Sequence, residues 1–226
     1  MIPEDRIEAL LERYVKQNSV VSLGTGPTNE AFLKKLALYS VNSGLRVKIV
    51  PTSHTMALLC SQLKIPTVSL DDTEVGLAFD FVDQVDEDFN YISNETTSLI
   101  RDKMIAQDAE EMIVTCEEQN FVSKLNGKLA VEISTFAANK TIAQLMNLGN
   151  PMLRTLKGKP ALSETGHYFV DIAFDEIYDI DDLDYQLKKI PGVLETSLFI
   201  GLADRVILHG NNLIVKSRMT NIPGEE

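Results

Sequence analysis

The segment Val20-Val-Ser-Leu-Gly-Thr-Gly-Pro-Thr28 constrains this chain more than any other. Two valines and a leucine make a short buried strand. Gly24 and Gly26 then let the backbone turn sharply, and Thr28 stands where a helix can begin. Strand, glycine turn and helix N-terminus together present free backbone N–H groups at a positive dipole end, which suits a phosphate or another anion. The same glycines serve equally as punctuation between strand and helix, so the segment sets an α/β beginning and leaves its ligand open.

The alternation continues downstream. Apolar spacing at Ile7, Leu10, Leu11, Tyr14 and Val15 predicts a helix over 4–17. Helices are expected at 29–42 with Gly44 as cap, 54–63 and 98–107; extended segments are expected at 46–50, 67–70, 76–81 and 112–115. This order predicts an α/β fold, a doubly wound, mostly parallel sheet with right-handed crossovers. The rhythm changes after Asn126, with strands at 128–133, 168–174, 195–199 and a last one at 205–209, and helices at 135–148 and 180–190. The chain therefore reads as a main Rossmann-like domain of residues 1–128 and 205–226. A smaller α+β subdomain spans 129–204, and the tail 219–226 is expected to fray.

Charge and composition narrow the function classes. A net charge of −12 argues against nucleic acid, whose phosphates need a clustered positive face, and means that an anionic ligand must find its cations locally. Nothing approaches a run of about 18 apolar residues, so no membrane span or membrane partner is expected. Cys60 and Cys116 share no metal-ligand spacing and read as reduced core thiols. With a start (Met1-Ile-Pro-Glu-Asp-Arg6) that lacks a basic-then-apolar pattern, they point to the cytoplasm. His54, His167 and His209 are scattered and form neither a metal set nor a nucleophile triad.

Ligands of an open parallel sheet bind beyond the carboxyl ends of its strands. Three segments fall there: 24–28, 51–53 and 80–88. The last contains Asp80, Asp83, Asp86, Glu87 and Asp88. Carboxylates this close raise one another's pKa, one route to a general acid or base; a solvated acidic loop or a cation site is the other reading. Asp80 directly follows an apolar run and so points into the mouth of the sheet. Asp102, one helical turn after Ser98 and just before Lys103, could equally be a surface ion-pair partner.

Assembled, these segments resemble the ribose-5-phosphate isomerase A family over essentially the full length. Val21-Ser-Leu-Gly-Thr-Gly-Pro-Thr28 is similar to the family's Gly-Thr-Gly-Ser-Thr phosphate turn, and Val50-Pro-Thr-Ser53 to its second ligand loop. The run from Asp80 to Asp86 falls where the family reads Asp-Gly-Ala-Asp-Glu. Val131-Glu132, Arg154, Ile190-Pro-Gly-Val193, Leu198-Phe199 and the run from Gly201 to Val206 continue the series. The resemblance implies interconversion of ribose 5-phosphate and ribulose 5-phosphate through a cis-enediolate, with carboxylate acid/base chemistry and no metal or organic cofactor. It implies that Asp102 stands at the family's glutamate base and that Asp80 and Asp83 meet the sugar hydroxyls. Gly24, Thr25, Gly26, Thr28 and Ser53 would line the phosphate and sugar. It also implies a homodimer or homotetramer formed through the C-terminal subdomain, with the apolar stretches 193–200 and 206–208 read either as that face or as core.

Several positions depart from the pattern. The family's Lys-Gly-Gly-Gly loop is here Ser93, Asn94, Glu95 and Thr96, the base is one methylene shorter, and two further family lysines appear as Glu4 and Asn120. Phe81 and Val82 replace a glycine and an alanine, and the Thr-Asp-Asn-Gly-Asn turn has become Ser163-Glu-Thr-Gly-His167. Each charge-assisted contact to phosphate is worth roughly 1.5–3 kcal/mol, so the lost lysines call for other cations. Arg6, Lys103 and Lys124 are the nearest, and Lys103 joins Ser93 among the expected substrate-binding residues. Beside the isomerase stand two other readings: a catalytically impaired paralogue acting as a ligand-binding or regulatory module, and an enzyme with a changed substrate.

Overall fold

Aliphatic runs bounded by turn residues build the expected parallel sheet. The computed structural model describes residues 4–174 and 177–218, and its strands are numbered here along the chain. The large sheet contains β1 (Val20–Leu23), β2 (Lys48–Pro51), β3 (Leu77–Phe81), β6 (Met112–Glu117), β15 (Arg205–His209) and β16 (Leu213–Ser217), in the order β16-β15-β6-β3-β1-β2. Its pairs are parallel except β15 with β16.

Side chains alternate across this sheet. Val21, Leu23, Phe79, Ile113 and Ile207 share one core with α1 (Glu4–Tyr14), α2 (Pro27–Ser43) and α3 (His54–Leu63). Ala78, Val114, Val206 and Leu208 share the other with Ile105 and Ala106 of α4 (Leu99–Asp108). Both faces are thus covered, as a parallel sheet requires. Helix α2 begins at Pro27, whose fixed φ and missing N–H suit a first helical turn, and ends at Gly44 in the left-handed region (φ 67°).

A second sheet is wholly antiparallel. It orders β13 (Val193–Thr196), β8 (Gly127–Ile133), β12 (Tyr168–Phe174) and β9 (Asn150–Leu153). Its core residues Leu129, Val131, Ile133, Val170 and Ile172 pack against Leu145 of α5 (Ala138–Leu145) and Leu187 of α6 (Ile180–Lys188). A hairpin of β10 (Thr155–Leu156) and β11 (Lys159–Pro160) extends from it. A third small sheet joins β14 (Leu198–Phe199), β5 (Tyr91–Ile92), β4 (Gln84–Asp86) and β7 (Phe121–Val122).

Two expectations need correction, and two readings left open are narrowed. The strand expected at 195–199 is two strands in different sheets, hinged at Ser197, whose N–H donates to the Ala130 carbonyl at 2.8 Å. The strand at 205–209 is not the last, because β16 follows it as an edge strand with Leu213 and Val215 turned to the core. The stretch 80–88 is not a solvated acidic loop throughout. Asp86 is buried, and its Oδ1 accepts the backbone N–H groups of Asp88 (3.0 Å) and Asn90 (2.9 Å). Finally, of the two readings of 193–200 and 206–208, Leu198, Phe199 and Val206–Leu208 take the core one. The tail 219–226 lies outside the described residues.

Candidate active site

The carboxyl ends of β1, β2 and β3 meet at one point. Gly24 follows β1, and its N–H donates to the Phe79 carbonyl of β3 (2.9 Å). A Cβ on Gly24 would lie 1.8 Å from Asp80 Oδ1, so only glycine lets the turn pass in front of that carboxylate. Asp80, 7% exposed on β3, accepts from Asn29 Nδ2 through Oδ1 and from Ser93 Oγ through Oδ2, each at 2.9 Å. Burial nevertheless pushes its pKa up to about 7, against those two hydrogen bonds and with added repulsion from Asp83. The serine at position 93 hydrogen-bonds this carboxylate without bringing the charge that a lysine would.

Asp102 lies in the first turn of α4. Its Oδ2 accepts from Thr96 Oγ1, while Oδ1 is buried without a hydrogen-bond partner. Burial, and then the charges of Asp80, Glu132 and Glu164, push this carboxyl up to about 8 although the Thr96 hydrogen bond opposes them. Asp80 and Asp102 line one small cavity, about 20 Å³, with Gly24, Thr52, Tyr91 and Phe199; the Tyr91 and Phe199 rings stack there at 4.5 Å. Two buried carboxyls with raised pKa values at the mouth of a parallel sheet can hold and release protons near neutral pH. A much larger cavity, about 1030 Å³, lies around Asn18, Glu74 and Gly76 at the amino ends of β1 and β3, the end where such sheets do not bind ligand.

The expected site residues are distributed as follows. Gly24, Thr25, Gly26 and Thr28 form the turn and first helical residues. Thr25 Oγ1 lies 3.2 Å from Thr52 Oγ1, which donates to the Leu23 carbonyl. Ser53 caps α3, its Oγ accepting from Met56 N–H at 3.1 Å. Asp83 is exposed and accepts the Asn94 N–H at 2.7 Å, which ties it to the 93–96 loop.

The expectation for Lys103 is corrected. Its ammonium is buried against Glu195 (2.5 Å) and the Thr196 carbonyl (3.1 Å), one helical step around α4 from Asp102. Arg6 instead donates to the Gly210 and Asn211 carbonyls, and the Lys124 ammonium lies 4.8 Å from the Tyr178 ring centroid. Asn120 falls in a single turn over Glu118–Asn120, and the side chain of Glu4 lies outside the described residues.

Several residues that hold the site were not singled out for it. Asn29 bridges the Thr25 carbonyl and Asp80. Asn94 fastens its loop to Lys128, Ala130 and Ser197. Glu132 is fully buried and accepts from the Leu99 N–H at the start of α4, from Thr165 Oγ1 and from His167 Nδ1. Glu164 takes the His54 N–H and the Arg101 guanidinium, joining α3 to α4. Only the family-like turn 163–167 and the pair Val131-Glu132 hinted at the last two. Among the described residues, no group of three or more His, Cys, Asp or Glu side chains is arranged to hold a metal ion.

Comparison with known proteins gives the chain's family and fold. Residues 48–212 match the family Ribose 5-phosphate isomerase A (phosphoriboisomerase A). Ribose-5-phosphate isomerase A of Sinorhizobium fredii is 36% identical over 206 residues, covering 87% of this chain and 89% of that one. Its counterpart in Methanoregula boonei is 36% identical over 202 residues, with 87% and 85% covered. A D-ribose-5-phosphate isomerase solved in complex with phospho-erythronic acid superposes with a TM-score of 0.86 at 28% identity, over 95% of this chain and 97% of that one. The enzyme of Methanocaldococcus jannaschii gives 0.84 at 26% identity, over 95% and 96%.

Proposed function

The chain belongs to the ribose 5-phosphate isomerase A family, and from that premise we propose how its cleft interconverts ribose 5-phosphate and ribulose 5-phosphate. It is an aldose–ketose isomerase. Asp102 is the base: it takes the proton from C2 of the open-chain aldose, and the C–H electron pair forms the C1–C2 double bond of a cis-enediolate. The same carboxyl returns the proton to C1, giving the ketose. Asp80 and Asp83 hold the sugar hydroxyls and move their protons between O1 and O2. The turn Gly24–Thr28 and the first amides of α2 seat the phosphate, with Ser53 and Ser93 beside the sugar.

The observation that carries this reading is Asp102 Oδ1, buried and unpartnered in a cavity that Asp80 also lines. A coupled assay with ribose 5-phosphate tests it. Asp102→Asn should lower kcat by roughly 10²–10⁴-fold, the usual contribution of a positioned base, and Asp80→Asn should lower it as well. A folded Asp102→Asn variant with the parent's kcat would overturn the assignment.

Three coarser assignments accompany it. A main domain of 1–128 and 205–226 beside a 129–204 subdomain is supported by the separate core around Leu129, Val131 and Ile172. Two buried free thiols, Cys60 and Cys116, support the cytoplasm. A homodimer formed through the small antiparallel sheet is supported by exposed Met152, Leu156 and Leu162.

A further inference from the structure

Strand β5 pairs with β14 in a register that sets Tyr91 opposite Phe199. Their rings stack at 4.5 Å with 13° between the planes, and solvent scarcely reaches either: Tyr91 is 0% and Phe199 2% exposed. Packing this close holds the phenol in one orientation. Its Oη is buried without a hydrogen-bond partner. The chemistry assigned so far gives this hydroxyl no task.

An acceptor in the same condition lies on the same space. Asp102 Oδ1 is buried and unpartnered, and Asp102 and Tyr91 both line the cavity of about 20 Å³. That volume is room for a single water, which needs at least two polar partners. A donor without an acceptor and an acceptor without a donor provide them. Left unmatched, each group bears the full cost of its desolvation; one bridging water satisfies both.

The charges around the pair are acidic. Asp80 from β3, Glu132 from β8 and Glu164 from the 163–167 turn act on Asp102, while Asp80, Asp102 and Asp204 act on Tyr91. The Lys103 ammonium lies 5.1 Å from the Phe199 ring centroid but is paired with Glu195, and Arg101 is paired with Glu164. With Ser93 neutral, an ionised Asp102 depends on neutral donors. Thr96 Oγ1 serves Oδ2, and Tyr91 is the hydroxyl left for Oδ1. Burial, reinforced by those carboxylates, pushes the phenol well above the usual tyrosine range, so it keeps its proton at any working pH.

We propose that Tyr91 is a positioning residue for the base: through one bridging water its hydroxyl donates to Asp102 Oδ1, and so favours the ionised, proton-accepting carboxylate. The inference rests on the reading of Asp102 as the base.

Initial rates of ribose 5-phosphate isomerisation between about pH 6 and pH 10, at constant ionic strength, test it on the full chain, with Tyr91→Phe and Thr96→Val beside the parent. Tyr91→Phe removes only the hydroxyl. The alkaline-going limb of kcat/KM should move up by about one pH unit, which lowers the value about tenfold near pH 7 and closes the gap near pH 10. Tyr91→Met, a more adaptable core residue, is the second variant without a hydroxyl and should show the same shift. Thr96→Val removes the donor on Oδ2 and should move the limb in the same direction. If Thr96→Val shifts the limb while the Tyr91 variants, with the parent's circular dichroism, leave it in place, Tyr91 does not act on the base and the proposal fails alone. If neither position shifts it, the limb does not belong to Asp102, and the proposal fails together with the base it serves.

Discussion

A carboxyl pushed up to about 8 is mostly protonated at neutral pH, so a base at Asp102 works there below its full strength. The rate should therefore rise with pH, with an alkaline-going limb in kcat/KM centred near pH 8, read from initial rates in buffers of constant ionic strength. A flat profile between pH 6 and 9 would detach Asp102 from the proton transfer. The same shift has a signed effect on stability. The folded state holds the Asp102 proton more tightly than the unfolded chain, where the ordinary value is 3.8, so the contribution is fully present below that pH and is lost as pH rises towards 8. Asn mimics the protonated acid. Asp102→Asn should consequently melt higher than the parent at pH 7–8 and converge with it near pH 4, by roughly 2–4 °C for each kcal/mol recovered in a chain of this size. A variant that is slower yet more stable is the pattern expected of a strained functional group.

At the scale of one element, α4 matters because its first turn carries Asp102. Ser98 caps it, with Oγ accepting the Arg101 N–H at 3.3 Å, and Glu132 reaches across from β8 to take the Leu99 N–H at 3.0 Å. Glu132→Gln keeps an acceptor for that amide but removes a negative charge that raises the Asp102 pKa. The limb of the pH–rate profile should then move to lower pH, and the variant should lose about 1–2 kcal/mol in urea denaturation through weaker bonds to Thr165 and His167. An unshifted profile would show that Glu132 only braces the helix.

Such cross-element support explains what could be read in advance. Apolar spacing and glycine turns located α2, α3, β1, β3 and β12 closely, because those signals are local. That Asp80 and Asp102 lie together at the carboxyl end of the sheet was legible from strand-end position and family pattern. Asn29, Asn94, Glu132 and Glu164 were not, since each acts on a residue brought near only by the fold; Asn29 and Asp80, for example, are 51 positions apart. Lys103 failed for another reason. Adjacent helical residues point about 100° apart, so having Asp102 in the cleft turned Lys103 out of it, towards Glu195. The split at Ser197 was hidden because an apolar run carries no mark of which sheet each half will join.

For the whole molecule, the proposed dimer gives the antiparallel sheet of β9 a testable part in the chemistry. The sheet's edge strand β9, the following hairpin and the residue Leu162 just beyond it expose Met152 (68%), Leu156 (68%) and Leu162 (62%), apolar side chains that a second copy can cover. A second copy covering this face through a two-fold axis is the simplest closed assembly. Between Met152 and Leu156 lies Arg154, whose guanidinium grips Asp171 at 2.5 Å and reaches within 3.5 Å of the Asn94 carbonyl in the 93–96 loop. The two events should therefore be coupled. Light scattering after size exclusion should give twice the chain's mass for the parent and the single-chain mass for Met152→Glu with Leu156→Glu. That double variant should keep its circular dichroism but lose kcat/KM, because the junction between β9 and β10 that carries Arg154 is no longer buttressed. A parent of single-chain mass would remove the dimer. A monomeric variant with the parent's kcat/KM would keep the dimer and separate it from the 93–96 loop.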